Sequence, residues 1–218
     1  MNNISDIKHV FYINLESRPD RKKYVEQQLK NIGIQKVERF NAIRLTNGAL
    51  GCSMSHLKCI EIAKQKCLDH IMIVEDDITF LKPELFIKQM NKFLSIHKVW
   101  DVLLIGGNNV PPYQKIDDTC IKVQSCQTTT GYIVRSHYYD ILIDNFRTGI
   151  NKLLKEPENR YMYAIDKYWF ILQKQHLWYL IIPLTVTQRE DFSDIEKKIT
   201  NYTQSMIDID KPWLFTSF

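Results

Sequence analysis

Three consecutive carboxylates, Glu75-Asp76-Asp77, follow directly on the apolar run Ile71-Met72-Ile73-Val74. A buried strand thus delivers acids to its C-terminal end, the edge where open α/β sheets bind ligands. Adjacent like charges repel, so the triplet is costly unless a cation sits among them. Side chains alternate along an extended chain, which predicts Glu75 and Asp77 on one side and Asp76 on the other. Oxygen-only ligation suits Mg²⁺ or Mn²⁺, and either ion would bridge to phosphate oxygens. The same residues also read as an acidic turn whose Asp side chains cap the next segment. A receiver domain shares the strand-plus-acids element but needs a phospho-accepting Asp at the end of a later strand. Here Asp101 starts its strand and Asp117-Asp118 follow a Pro-Pro loop, so that reading fits poorly.

Other candidates flank the acids. Asn14 ends an earlier strand, and Arg18-Pro19-Asp20-Arg21 opens a helix. Cations in a first helical turn oppose the macrodipole, and a bound diphosphate would relieve that conflict, as would Asp20 with solvent. Gly48-Ala49-Leu50-Gly51 leads into Cys52-Ser53-Met54-Ser55-His56, where Ser53 or Ser55 is a candidate cap and His56 sits near the expected helix start. A histidine so placed is more often a structural hydrogen-bonder than a catalyst. Gly106-Gly107-Asn108-Asn109 reads as a permissive turn. Asp166 lies among bulky apolar residues, where burial would raise its pKa towards that of a general base. The aromatic stretch Tyr168-Trp169-Phe170 beside it reads as core. Gln188, Arg189, Glu190 and Asp191 follow the last expected strand and are placed to reach the same sheet edge.

The elements that would position these residues alternate. Runs at 10–15, 71–75, 101–106, 131–135 and 178–186 read as strands covered on both faces. Between them, apolar faces at helical spacing are marked by Val25, Leu29 and Ile32, and by Leu57, Ile60, Ala63 and Cys67. Two more follow, at Leu85, Phe86, Met90, Phe93 and Leu94, and at Tyr138, Ile141, Leu142 and Phe146 with Ser136 as a candidate cap. This alternation predicts an α/β fold with a largely parallel central sheet flanked by helices. With 218 residues the chain is expected to form a single domain, 1–218, with an irregular tail from about 201 that Trp213, Leu214 and Phe215 would dock.

Composition narrows the class. A net charge of +4 without a long basic run gives no sign of nucleic-acid binding. Five cysteines without C-x-x-C spacing argue against a disulfide framework or a zinc site and for a reducing compartment. The N-terminus has no apolar signal core, and the longest apolar run, 177–186, is too short to span a bilayer, so a cytoplasmic location without a transmembrane segment is expected. Two Asn-x-Ser/Thr matches, at Asn3 and Asn201, read as chance in that setting.

Taken in order, the motifs resemble glycosyltransferase family 25, which includes bacterial lipopolysaccharide glycosyltransferases and collagen hydroxylysine galactosyltransferases. The resemblance runs through Ile13-Asn14-Leu15 with Arg18, Asp20 and Arg21, then Leu50-Gly51-Cys52 with Ser55-His56, then Ile73-Val74-Glu75-Asp76-Asp77. It continues through Trp100-Asp101-Val102-Leu103-Leu104 with Gly106, Thr130-Gly131-Tyr132-Ile133-Val134, Ile165-Asp166, Pro183, Gln188 and Ser193-Asp194-Ile195. It implies a GT-A fold, inversion at the anomeric carbon, and Mn²⁺ or Mg²⁺ held by a D-x-D-like motif with Glu75 and Asp77 at its outer positions. It further implies transfer of galactose or glucose from a UDP-sugar to a glycan, lipid-linked saccharide or protein hydroxyl. Donor contacts are expected at Asn14, Arg18, Arg21, Ser55, His56, Asp76, Gly106 and Gln188. Asp166 is the first choice of base and Glu190 the second. Ala49 stands where bacterial members often have Glu, and the chain is shorter than the collagen enzymes. Two other readings are a two-carboxylate glycoside hydrolase and a non-catalytic nucleotide- or sugar-binding module of the same descent.

Overall fold

The computed structural model describes residues 1–193, 195 and 197–214. Its centre is an eight-stranded sheet. The strands in chain order are β1 (Val10–Asn14), β2 (Glu38–Asn41), β3 (His70–Glu75), β4 (Ile78–Phe80), β5 (Val102–Asn109), β6 (Gln114–Lys115), β7 (Cys120–Lys122), β8 (Cys126–Arg135), β9 (Trp178–Ile181), β10 (Val186–Gln188), β11 (Asp191–Ser193) and β12 (Lys198–Thr200). The large sheet has the order β2-β1-β3-β8-β5-β9-β7-β6, while β10 pairs with β4 and β11 with β12. Six of the eight strands point one way and β7 and β8 run against them. The fold is therefore the α/β, mostly parallel arrangement expected.

Helices α1 (Pro19–Asn31), α2 (Gly48–Gln65), α3 (Pro83–Ile96) and α4 (Tyr139–Lys155) supply the flanking layers, followed by the short α5 (Arg160–Tyr163), α6 (Ile165–Tyr168), α7 (Phe170–Gln175) and α8 (Thr203–Ile207). The period-2 alternation of β3 divides the core. Ile71 and Ile73 join a cluster with Ile60 of α2, Leu142 of α4 and Trp169, whereas Met72 and Val74 join one with Leu29 of α1 and Met90 and Phe93 of α3. Because both faces are covered, the strand reads as continuous apolar sequence.

Several expected elements differ. The run 178–186 is two strands: β9 ends at Ile181, and after Pro183, which has no N–H to continue a ladder, Val186–Gln188 crosses to pair antiparallel with β4. Gly106-Gly107-Asn108-Asn109 is no turn but the second half of β5, and a Cβ at Gly106 would stand 2.7 Å from Val186 Cγ1. That glycine serves the contact between β5 and β10. α2 begins at Gly48, a full turn before Cys52, with Asn47 as the cap accepting from Leu50 N at 3.2 Å. Ser53 and Ser55 are inside the helix and donate to Ala49 O and Gly51 O, so neither caps it. Cys67 lies beyond α2 with φ +51°, and Ser136 falls in a 3-10 turn ahead of α4. In the tail, Met206 of α8 is the buried anchor, whereas Trp213 and Leu214 remain 37% and 49% exposed; Phe215 lies outside the described residues.

Candidate functional site

The C-terminal ends of β1 and β3 open into a cavity of about 510 Å³, bounded also by α2, β8, α6 and the β11–β12 hairpin. The acid triplet lies at its floor, but the strand ends at Glu75, so Asp76 and Asp77 sit in a turn and the expected alternation stops there.

Glu75 faces α2 and β8. Its Oε1 accepts from Thr129 Oγ1 at 2.6 Å and lies 3.5 Å from His56 Nε2, while Oε2 accepts from Gln188 Nε2 at 2.9 Å. Burial pushes this carboxyl upward, but His56 and Thr129 outweigh it and hold the pKa below its ordinary value. His56 is fully buried, with Nδ1 2.8 Å from the Tyr132 hydroxyl. Its distance to Glu75 is long for a hydrogen bond yet short for a charge contact.

Asp76 faces the opposite group. Its Oδ2 accepts from Asn14 Nδ2 at 2.7 Å and its Oδ1 from Arg21 Nη1 at 3.0 Å. Asn14 is itself buried, also donates to Arg18 O, and accepts from Arg39 Nε at 3.0 Å. It does not line the cavity, so its contact is with Asp76.

Asp77 is the least satisfied of the three. Arg21 Nη1 reaches its Oδ2 at 3.3 Å, but its buried Oδ1 has no hydrogen-bond partner among the described residues. Burial, then the Glu75 charge, raise its pKa to about 8.

Arg21, only 9% exposed, also gives Nε to Asp191 Oδ2 at 3.1 Å and Nη2 to Phe192 O at 3.1 Å. Arg18 meets the same Asp191 oxygen at 2.6 Å and forms a two-point pair with Asp20. The unfavourable cations at the start of α1 are thus neutralised by Asp20 and by Asp191 from β11.

Asp166, in the first turn of α6, lines the opposite wall, and burial raises its pKa. Its Oδ2 accepts from Thr128 N at 3.1 Å. Thr128 has φ +69°, a costly conformation for a β-branched residue that aims this N–H at the carboxylate. Sequence reading missed Thr128, Thr129 and Tyr132 as site residues. Gln127-Thr128-Thr129-Thr130 extends β8 toward the cavity, and its β-branched composition was the available signal.

The remaining candidates divide clearly. Ser55 lines the cavity, but its hydroxyl donates to Gly51 O and accepts from Ile43 N, holding the loop before α2. Gln188 reaches the site through Glu75. Gly106 is absent from the lining, being taken up by the Val186 contact. Glu190 is exposed, accepts from Asn201 Nδ2 at 2.7 Å and likewise does not line the cavity. Asp194 lies outside the described residues.

Comparison with known proteins shows what the chain around this cavity is similar to. A family model described as glycosyltransferase family 25 (LPS biosynthesis protein) matches residues 40–104, the stretch from the end of β2 through α2 and the acid triplet into β5. An Aedes aegypti protein named glycosyltransferase 25 family member is 22% identical over 201 residues, covering 78% of this chain and 32% of its own length. A Drosophila pseudoobscura protein of the same name is 30% identical over 102 residues, covering 34% of this chain and 16% of its own. Over residues 40–104 the chain is similar to glycosyltransferase family 25.

A human relative, 23% identical over 199 residues and 77% of this chain, is named inactive glycosyltransferase 25 family member 3; 32% of its length is matched. The chain spans about a third or less of the length of these curated relatives. Among solved structures it is similar to a glycosyltransferase involved in glycosylation of the major capsid of PBCV-1, at 11% identity and TM-score 0.48, covering 79% of each chain. It is also similar to a Drosophila β1,4-galactosyltransferase 7 mutant in complex with manganese, UDP-Gal and xylobiose, at 12% identity and TM-score 0.41, covering 93% of this chain and 75% of that one. The chain's own strand order makes the architecture α/β with a mostly parallel central sheet.

Proposed function

We propose that this chain is a glycosyltransferase of family 25 that transfers a sugar, galactose or glucose, from a UDP-sugar to a hydroxyl of a glycan, lipid-linked saccharide or protein, with Mn²⁺ or Mg²⁺ bound at the acid triplet. The observation that carries the reading is Asp77: a buried carboxyl with one oxygen unpartnered among the described residues, pressed by the Glu75 charge, at the floor of a cavity that Arg18 and Arg21 also line. A hard divalent cation fits that donor set, because it would offset the repulsion and engage the vacant oxygen lone pairs. Asp77 would hold the ion, with Glu75 beside it. When bound, the ion supplies charge neutralisation for the leaving diphosphate.

The chain's own groups do the rest. Arg18 and Arg21 offer positive charge to the diphosphate, which would compete with Asp191 for both guanidinium groups. Asn14 fixes Asp76, and Asp76 with Asp77 fixes Arg21, so the donor meets a preset charge pattern. His56, Thr129 and Gln188 keep Glu75 ionised and oriented, and Ser55 secures the wall of the donor pocket. Asp166, with its raised pKa and cavity-wall position, takes the proton from the acceptor hydroxyl as that oxygen attacks the anomeric carbon. Its placement favours it over the exposed Glu190. Among the described residues no helix is long and apolar enough to cross a membrane, and a cytoplasmic site of action goes with this reading.

The test is thermal unfolding with UDP, Mn²⁺ or both, followed by a screen of UDP-sugars for metal-dependent hydrolysis and transfer. Cooperative stabilisation by UDP with Mn²⁺, lost in Asp77→Asn, is the expected result, because a ligand specific for the native state raises its apparent stability. Absence of that stabilisation overturns the reading. Binding without any turnover selects instead the non-catalytic module, the reading favoured by relatives named inactive.

A further inference from the structure

We propose a second metal site, for a zinc-like transition-metal ion, formed by His97, Asp117 and Cys120, apart from the cavity that the acid triplet floors. The spacing of the cysteines gives no hint of it, because its three ligands come from separate places in the fold. His97 caps the C-terminus of α3, Asp117 lies in the turn between β6 and β7, and Cys120 begins β7. One ligand atom from each falls within 4.8 Å of the other two, and none of the three residues lines the cavity described above.

Each ligand is held in place by something else. Asp117 Oδ1 accepts from Thr119 N at 2.7 Å, Thr119 Oγ1 at 2.6 Å and Cys120 N at 3.2 Å, which locks the carboxylate and turns Oδ2 towards His97 Nε2 at 2.7 Å. The His97 ring is stacked on Phe93 at 4.6 Å between centroids and lies beside Tyr179. Cys120 Sγ is buried 3.8 Å from the same Nε2. Gln89 of α3 donates to Asp118 O and Ile182 O, tying the helix to the turn that carries Asp117. Ligands whose orientation is fixed by outer contacts are what a metal site needs.

The donor set selects the metal. Nitrogen, thiolate sulfur and one carboxylate oxygen suit zinc and its neighbours, not the hard ions expected at Asp77. Tetrahedral zinc with bonds of about 2.0–2.3 Å sets nitrogen and sulfur roughly 3.5 Å apart, close to the separation found. The His97–Asp117 hydrogen bond must open by about half an ångström for the ion to enter. Both of those side chains are partly exposed, at 17% and 30%, so the ion has access and a water can take the fourth position. Binding exchanges the thiol proton of Cys120 for the ion, the proton passing to solvent. The ion would then staple the β6–β7 edge of the sheet to α3, independently of whether the cavity transfers sugar.

Cobalt titration of the chelator-treated protein tests this, because a thiolate bound to Co²⁺ absorbs in the near ultraviolet. One equivalent giving that band, displaced by Zn²⁺, is expected. The band should vanish in Cys120→Ser, persist in Cys52→Ser and Asp77→Asn, and need at least about tenfold more cobalt in His97→Gln. The Cys52 arm is needed because, among the described residues, Cys52, His56 and Glu75 form another cluster of ligand atoms within 4.8 Å. No band in the parent protein, a band retained by Cys120→Ser, or one lost with Cys52 overturns the assignment. Should Cys120→Ser not fold, an unchanged titration of His97→Gln overturns it equally.

Discussion

Arg21→Met isolates the electrostatics of the cavity floor, because methionine keeps much of the apolar stem and removes only the guanidinium. In the parent chain that group touches Asp76 Oδ1, Asp77 Oδ2, Asp191 Oδ2 and Phe192 O, all within 3.3 Å. Removing one partner of a buried pair leaves an uncompensated charge and costs about 3–5 kcal/mol. For a chain of this size each kcal/mol lowers Tm by about 2–4 °C, so the midpoint should fall by roughly 6–20 °C at neutral pH. The pH dependence carries its own sign. Burial already raises Asp76 and Asp77 above 3.8, and without Arg21 both rise further. A carboxyl raised in the folded state contributes stability that is present at low pH and lost as pH climbs through the folded value. The deficit should therefore be largest above about pH 8 and shrink towards about pH 5, and Mn²⁺ should recover part of it by replacing the missing charge. Thermal unfolding followed by circular dichroism at several pH values, with and without Mn²⁺, reads all three effects. A midpoint unchanged within about 2 °C at neutral pH, or a deficit that widens in acid, would refute the reasoning.

Asp166→Asn should lower transfer by about 10²–10⁴-fold while UDP with Mn²⁺ still stabilises the protein, and near-normal turnover would remove Asp166 from the role of base. In the parent chain the rate should decline with acidification through a value above the ordinary 3.8 of an aspartate, a limb that the variant flattens. Gly51→Ala is a stability prediction. A Cβ there would lie 2.4 Å from Ile43 O, a backbone atom that cannot swing away, so the change should cost about 1–3 kcal/mol in denaturant unfolding, and a neutral result would mean that the loop before α2 yields freely.

The β3 acids were legible because two independent signals coincide there: an apolar run without alternation, and charge that nothing local explains. The α1 arginines were legible for the same reason, since Arg18 and Arg21 contradict the helix dipole. What sequence could not show is who answers those charges. Asp191 is 170 residues from Arg21 along the chain, and only the placement of the β11–β12 hairpin brings it there. The split of 178–186 was similarly hidden. Apolar content says that both halves are buried, but Pro183 alone marks the change of partner from β5 to β4. The early start of α2 was missed because Gly48 and Gly51 read as loop. Tertiary packing overrides that propensity: Gly51 is tolerated in the helix because Ile43 O needs the space a side chain would fill.

The separation between Glu75 and Asp77 bears on how the acids work together. Had alternation continued, both would have faced one ligand as equivalents. Instead Glu75 spends both oxygens on Thr129, Gln188 and the neighbouring His56, which keep it ionised, and that fixed negative charge helps raise Asp77. Arg21 answers only one oxygen of Asp77 and divides itself among Asp76 and Asp191 as well. Asp77 Oδ1 is thus left without a hydrogen-bond partner among the described residues, and an arriving cation would join Arg21 in favouring deprotonation of a carboxyl that burial and Glu75 hold back. On the proposed reading Glu75 would act on the ion chiefly through Asp77, its fixed charge adding to burial in raising its neighbour's pKa.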